Sequence, residues 1–221
     1  MELMEAIHTR HSVRQYTDRP IDAKTITALR DEIDVCNRES GLHIQLVTNE
    51  PDAFSSFMAH YGKFRGVTNY IALIGPKSDM LDELCGYYGE RLVLRAQQLG
   101  LNTCWVALTY KKIHRAFQLD SGEKLTVVIA LGYGENQGTA HKSKSADAVS
   151  KSTGEAPDWF RAGVEAALLA PTAMNQQKFT LSYAGGKVSA KAGRGLYSKV
   201  DLGIVKYHFE IGSGMDHSIW S

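Results

Sequence analysis

The chain is poor in the features that would tie it to a special environment. Its 221 residues hold three cysteines, Cys36, Cys85 and Cys104, far apart and without a C-x-x-C pair. An odd, scattered count argues against a disulfide-stapled scaffold and suits a reducing compartment. No window approaches the roughly 18 consecutive apolar residues of a membrane span. Residues 1–8 lack the basic segment and long apolar run of an export signal, so the expected location is the cytoplasm. An excess of one charge is also missing: 25 Lys and Arg stand against 24 Asp and Glu, for a net charge of +1. No broad field is therefore available to recruit nucleic acid or an anionic membrane, and the expected partner is a small molecule. The sequence contains no Ser-His-Asp order, no H-E-x-x-H and no metal-ligand spacing, so no metal site is expected. What is present is an ordinary globular composition, 43% apolar and 22% charged, enough to bury the core of one large domain or of two small, intimately packed halves.

Local patterns alternate between helix and strand. Residues 2–9 read as a short helix followed by an extended loop to Ile21. Asp22 is placed to cap a helix that carries Ile26, Leu29, Ile33 and Cys36 on one face and stops at Gly41. Residues 42–48, 69–75, 103–108 and 125–132 read as strands, and residues 79–99 as a long helix stopped by Gly100. The small, polar stretch 134–155 is too long for a simple turn and is either functional or a linker. Pro157 suits the first turn of a helix running to Ala170. Strands at 177–183 and 187–192 flank the hairpin signal Gly185-Gly186, and a last helix, 199–211, ends at Gly212 with Trp220 beyond. The order helix, turn, strand, connection, long helix, Gly, Trp describes both residues 23–105 and 158–220, as an internal duplication would, although identity between the two is too low to establish one.

Four segments carry chemistry. Arg10-His11-Ser12-Val13-Arg14 puts two guanidinium groups and a hydroxyl within five residues, donors suited to phosphate; alone, it reads as a solvated basic turn. Pro171-Thr172-Ala173-Met174-Asn175-Gln176-Gln177 lies between an apolar helix and a strand. A polar turn explains its composition but not the placing of Asn175 and Gln177, whose amides both donate and accept and suit the edge of a flavin or nicotinamide ring. Residues 90–108 form a helix that stops at Gly100 and feeds a strand containing Trp105, packing that a core requires in any case. His141-Lys142-Ser143-Lys144 is a basic cluster in the polar connection and would ordinarily be surface charge. Gly132-Tyr-Gly134-Glu-Asn-Gln-Gly138 follows a strand but is one residue too long for a dinucleotide fingerprint, and no helix is expected after it.

In this order the segments resemble the FMN-dependent nitroreductase family over most of the chain. The family's Arg-x-Ser-x-Arg/Lys clamp on the FMN phosphate and pyrimidine edge is matched by Arg10, His11, Ser12 and Arg14. Its Pro-Ser-x-x-Asn-x-Gln loop is matched by Pro171, Thr172, Ala173, Asn175 and Gln177. Its Leu-Gly-Leu-x-x-x-Trp helix end, with backbone beside the flavin N5, is matched by Gly100, Leu101, Trp105, Val106, Ala107 and Leu108. Its later basic pair on the phosphate is matched by Lys142 and Lys144. There are two departures. The region following the clamp where the family carries its Asn and Gln loop, residues 37–42, lacks Pro and Gln, and the motif appears only at 171–177. Lys178 stands where the family has Trp, which bears on substrate preference.

The resemblance implies an α+β fold of mixed and antiparallel sheets flanked by helices, with two related halves packed as a pseudo-dimer. The first, residues 1–145, keeps the phosphate clamp; the second, residues 146–221, keeps the Asn and Gln loop. This resembles a single-chain subgroup of the family and implies one FMN site per chain, which a monomer would be able to hold. The implied activity is hydride transfer from NADH or NADPH through flavin N5 to a small oxidised acceptor such as a nitroaromatic, a quinone or another flavin, with no side-chain nucleophile. Arg14, beside N1 and O2, would stabilise the reduced flavin. A flavin-binding protein without efficient turnover, and a structural module without flavin, are the competing readings.

Overall fold

Two of the apolar runs expected as strands pair with each other and form the centre of the larger sheet. In the computed structural model residues 1–221 are described, His60 by its backbone alone. Strand β2 (Asn69–Pro76) runs antiparallel to β4 (Glu123–Gly132), with Ile71 opposite Ile129, Ala72 opposite Val128 and a bulge between Leu73 and Ile74. Both strands are buried along most of their length, which is why they read as continuous apolar runs rather than as alternating ones. Strands β1 (Gln45–Val47) and β3 (Asn102–Val106) complete the order β1-β2-β4-β3.

Strand β1 was expected from residue 42; its regular pairing starts at Gln45, with His43 still donating its N–H to the Ile74 carbonyl of β2 at 2.8 Å. The Asn37 side chain takes both backbone groups of Ile44, accepting from its N–H at 2.7 Å and donating to its carbonyl at 2.9 Å. Helix α2 (Ala23–Ser40), which carries Asn37, has both expected ends: Asp22 accepts from the Thr25 N–H, and Gly41 adopts φ 70°. Arg91 in helix α4 (Leu81–Gln98) binds Glu32 and Glu39 of α2 at 2.6 and 2.8 Å. Strands β1 to β4, α2 and the C-terminal part of α4 fall in one of two compact units, residues Arg10–Leu81 with Arg91–Thr139.

The other unit comprises Met1–Thr9, Asp82–Glu90 and Ala140–Ser221. It contains helix α1 (Leu3–Thr9), the first half of α4, and a small sheet in which β5 (Ser150–Ser152) lies parallel to β6 (Phe179–Ala184), itself antiparallel to β7 (Lys187–Ala192). Gly185 and Gly186 close the β6-β7 hairpin with φ of 56° and 79°, the two positive values that a tight hairpin turn requires. Helix α6 (Asp158–Ala167) packs on α7 (Ser198–Ser213). Gly163 makes room for the Phe209 ring, which a Cβ there would meet at 2.5 Å. Gly212, expected to end α7, lies inside it: a Cβ would stand 2.3 Å from that of Ala166, so its role is close helix packing, and Gly214 at φ 68° is the cap. The stretch 134–155, expected to be a functional connection or a linker, contains β5 and a short helix, α5 (Ala146–Val149). Helix α3 (Phe57–Tyr61) was also not expected.

In this second unit His208 and Glu90, both fully buried, meet at 2.8 Å, while the other ring nitrogen of His208 faces the Ala166 carbonyl at 3.1 Å. The pair joins α4, α7 and α6. No helix among the described residues is long and apolar enough to cross a membrane.

Candidate functional site

The arginine clamp is not a loose basic turn. Val13 donates its N–H to the Thr103 carbonyl at 3.0 Å and Ser12 bridges Thr103, so the segment runs alongside β3. Farther on, Tyr16 donates its N–H to the Arg65 carbonyl at 2.9 Å and its hydroxyl to the Val13 carbonyl at 2.7 Å. Arg10 is only 5% exposed, Ser12 is half-buried and Arg14 is open to solvent. All three act on the buried Cys104: burial pushes its thiol up, against the Arg14 charge, a hydrogen bond from Ser12 and the Arg10 charge, which pull it down. Two guanidinium groups and a hydroxyl thus converge on one strand. Trp105 follows on the same strand, Val106 ends it, and Leu108, 62% exposed, stands just past Ala107.

The glycines of the 132–138 stretch serve the same clamp. A Cβ at Gly138 would stand 2.7 Å from that of His11, and one at Gly134 would stand 2.8 Å from a Val13 methyl. Their smallness lets one backbone segment lie against another. No helix follows within residues 135–145, so the segment does not have the geometry of a dinucleotide fingerprint.

In the other unit Lys142 and Lys144 meet the loop at 171–177. Gln177, 3% exposed, accepts from the Lys144 N–H at 2.8 Å and donates to the Lys142 carbonyl at 2.9 Å and to Asn175 Oδ1 at 2.7 Å. Asn175 donates to the same Lys142 carbonyl at 2.9 Å. The Lys144 ammonium donates to the carbonyls of Gln176 and Gln177, each at 2.9 Å. Thr172 accepts from the Gln177 N–H at 3.0 Å, and Pro171 leads into this turn. Much of the polar capacity of Lys144 and Gln177 is therefore spent on holding the loop. Met174, Asn175 and Gln177 have φ of 51°, 53° and 44°, a left-handed region that costs an L-residue about 1–2 kcal/mol, less for Asn.

A model of the family described as "Putative TM nitroreductase" matches residues 2–213. The chain belongs to this family. Among solved structures it is similar to a putative nitroreductase from Thermotoga maritima, at 24% identity over 96% of this chain and 83% of that one, with a TM-score of 0.67. It is also similar to a putative nitroreductase from Desulfovibrio desulfuricans solved in complex with FMN, at 19% identity over 71% of this chain and 98% of that one, TM-score 0.53. An FMN-dependent nitroreductase from Clostridium difficile matches at 16% identity over 63% of this chain and 91% of that one, TM-score 0.52. These likenesses show an α+β nitroreductase fold. No curated protein sequence matches the chain.

Two further groupings are present in this nitroreductase-family chain. A cleft of about 610 Å³ is lined by Arg19, Asp22, Asn102, Tyr133, Gly134 and Gln137 among others, with the Arg19 guanidinium 3.9 Å from the Tyr133 ring centre. Elsewhere His43, Asp120 and Glu123 bring ligand atoms within 4.8 Å of one another. Gln45 fixes their chemistry. Its Oε1 accepts from the Gln118 N–H at 2.9 Å and its Nε2 donates to the Gln118 carbonyl at 2.7 Å, so the second N–H points to His43 Nε2 at 3.2 Å. With that ring nitrogen accepting from Gln45, Nδ1 would carry the proton toward Glu123 at 3.0 Å. A metal on Nδ1 would move the proton to Nε2, against the Gln45 donor. His43 and Glu123 form a hydrogen-bonded clasp, and Glu123 also accepts from the Asp120 N–H at 2.8 Å.

Asp201 is the polar residue at the loop that sequence patterns did not single out. It is 4% exposed and accepts from the Ala173 N–H at 2.8 Å and from Gln176 Nε2 at 2.7 Å. Its partners lie 25 or more positions away, beyond the reach of any local pattern.

Proposed function

We propose that the protein is an FMN-dependent oxidoreductase that passes electrons from NADH or NADPH to a small oxidised acceptor, a nitroaromatic, a quinone or another flavin. The observation that carries this reading is the convergence of Arg10, Ser12 and Arg14 on β3, whose chain continues through Trp105 to the exposed Leu108. Two permanent cations, a hydroxyl and the neighbouring imidazole of His11 form a donor set that fits a phosphomonoester and an electron-rich ring edge. Arg10, His11 and Ser12 would bind the phosphate. Arg14, the exposed cation, would face the N1 and O2 edge and stabilise negative charge there. The backbone of Val106, Ala107 and Leu108 would flank the reacting edge of the ring. The family resemblance assigns to flavin binding also the loop of Pro171, Thr172, Ala173, Asn175 and Gln177, which within its own unit is braced by Lys142 and Lys144. When bound, FMN supplies the hydride chemistry that these side chains do not.

The reading is tested on purified protein incubated with FMN, freed of excess cofactor by gel filtration, and then given NADH or NADPH with a nitroaromatic or a quinone. A retained oxidised-flavin spectrum and acceptor-dependent oxidation of the nicotinamide are expected. Protein that emerges colourless overturns the cofactor assignment. Protein that keeps FMN but oxidises neither nicotinamide overturns the enzymatic one and leaves a flavin-binding protein.

A further inference from the structure

The loop at 171–177 is held against its own backbone preference. Met174, Asn175 and Gln177 are left-handed, and Met174 is 82% exposed, so burial of its side chain does not offset the strain. Polar anchors do. Lys142 and Lys144 supply two, through the Lys142 carbonyl and through the Lys144 N–H and ammonium.

The third anchor is a carboxylate in the first turn of α7. Asp201 spends both oxygens on residues that bracket the left-handed corner: Oδ1 on Ala173, before Met174, and Oδ2 on Gln176, before Gln177. Its own setting is braced in the same way. Tyr197, left-handed at φ 59°, accepts the Asp201 N–H at 2.9 Å, and the Leu196 carbonyl takes a Gln176 N–H at 2.9 Å. A charge at 4% exposure is expensive to keep. Burial pushes the Asp201 carboxyl up, and the bonds from Ala173 and Gln176 only partly oppose that. A neutral side chain would escape the desolvation but lose one of the two bonds.

We propose that Asp201 is a positioning residue for the cofactor loop: its two oxygens hold Ala173 and Gln176, and through them the Met174–Asn175 corner, in the shape that meets the flavin. This rests on the flavin reading above. The residue touches the loop and acts through it.

Asp201→Asn keeps one acceptor and turns an N–H toward the other donor; Asp201→Ala keeps neither. Three measurements on the full chain separate positioning from general stability: melting temperature without FMN, amide hydrogen exchange across residues 173–177 without FMN, and FMN affinity by fluorescence titration. For Asp201→Asn the melting temperature is expected not to fall, exchange in the loop to quicken, and FMN affinity to drop roughly tenfold, with a larger drop for Asp201→Ala. Unchanged exchange and unchanged affinity in Asp201→Asn would overturn the proposal, as would an affinity loss that merely tracks a falling melting temperature. If the parental protein takes up no FMN, the flavin reading fails on that result alone. Loop exchange then still decides whether Asp201 holds the corner, quicker exchange supporting it and unchanged exchange refuting it.

Discussion

At the scale of single residues, charge and its surroundings decide most of what can be tested. On the proposed reading, Arg10→Ala would remove one charge-assisted contact to the FMN phosphate and should cost on the order of 1.5–3 kcal/mol, tenfold or more in FMN affinity; an unchanged titration would take Arg10 out of the site. Arg14→Ala should lower the midpoint potential of the bound flavin, because a permanent cation near N1 and O2 favours the reduced, more negative form. A redox titration that shows no fall would exclude that position for Arg14. The Asp201 carboxyl is raised by burial in the folded state. Such an acid binds its proton more tightly folded than unfolded, so its contribution to stability falls as pH rises through the window above the ordinary carboxylate value. Melting temperatures of the FMN-free protein and of Asp201→Asn, compared between about pH 7 and about pH 4, should therefore shift in favour of the parental protein on acidification. A constant difference would contradict the burial that defines this site.

Between elements, glycines set the closest approaches. In the unit containing α7, a Cβ on Gly203 would stand 2.0 Å from the Glu83 carbonyl oxygen, and one on Gly86 would stand 2.0 Å from that of Val200. Helices α4 and α7 thus meet backbone to backbone, and neither carbonyl can move without disturbing its helix. Gly203→Ala should cost at least about 1–3 kcal/mol, which thermal unfolding would register as a drop of about 2–4 °C per kcal/mol; an unaltered melting temperature would mean that the helices separate freely there. Helix ends were the part of this scale most legible in the sequence. Asp22, Gly41 and Gly100 act where their chemistry predicts, because capping is a local interaction. Gly212 misled for the complementary reason: its neighbour Ala166 lies on another helix.

At the scale of the molecule, the clamp motif and the Asn and Gln loop each occur once in the chain. The family resemblance assigns both to one flavin. If a single chain supplies both, mixing Arg10→Ala with Asn175→Ala protein should restore no FMN binding, since each defective motif stays tied to its own chain. Recovery of binding in the mixture, with binding lost on dilution, would mean that sites are shared between chains. Sedimentation of the FMN-loaded protein checks the same point independently.

The sequence by itself determined the family and the places of most helices and strands, and it singled out the segments proposed to bind the cofactor, since all three rest on short-range patterns: apolar periodicity, caps and closely spaced donor groups. Tertiary structure alone decided how those groups are employed. Only the pairing of Ser12 with Thr103 sets the clamp arginines on β3. Only the approach of residues 142–144 to 171–177 turns Lys144 and Gln177 into braces of the loop. Only the start of α7 reveals Asp201 as the carboxylate that grips it. The two compact units also interleave along the chain, with α4 contributing to both. Each of these depends on contacts between residues far apart in sequence, where the free energy of packing and desolvation, and not local preference, selects the partner.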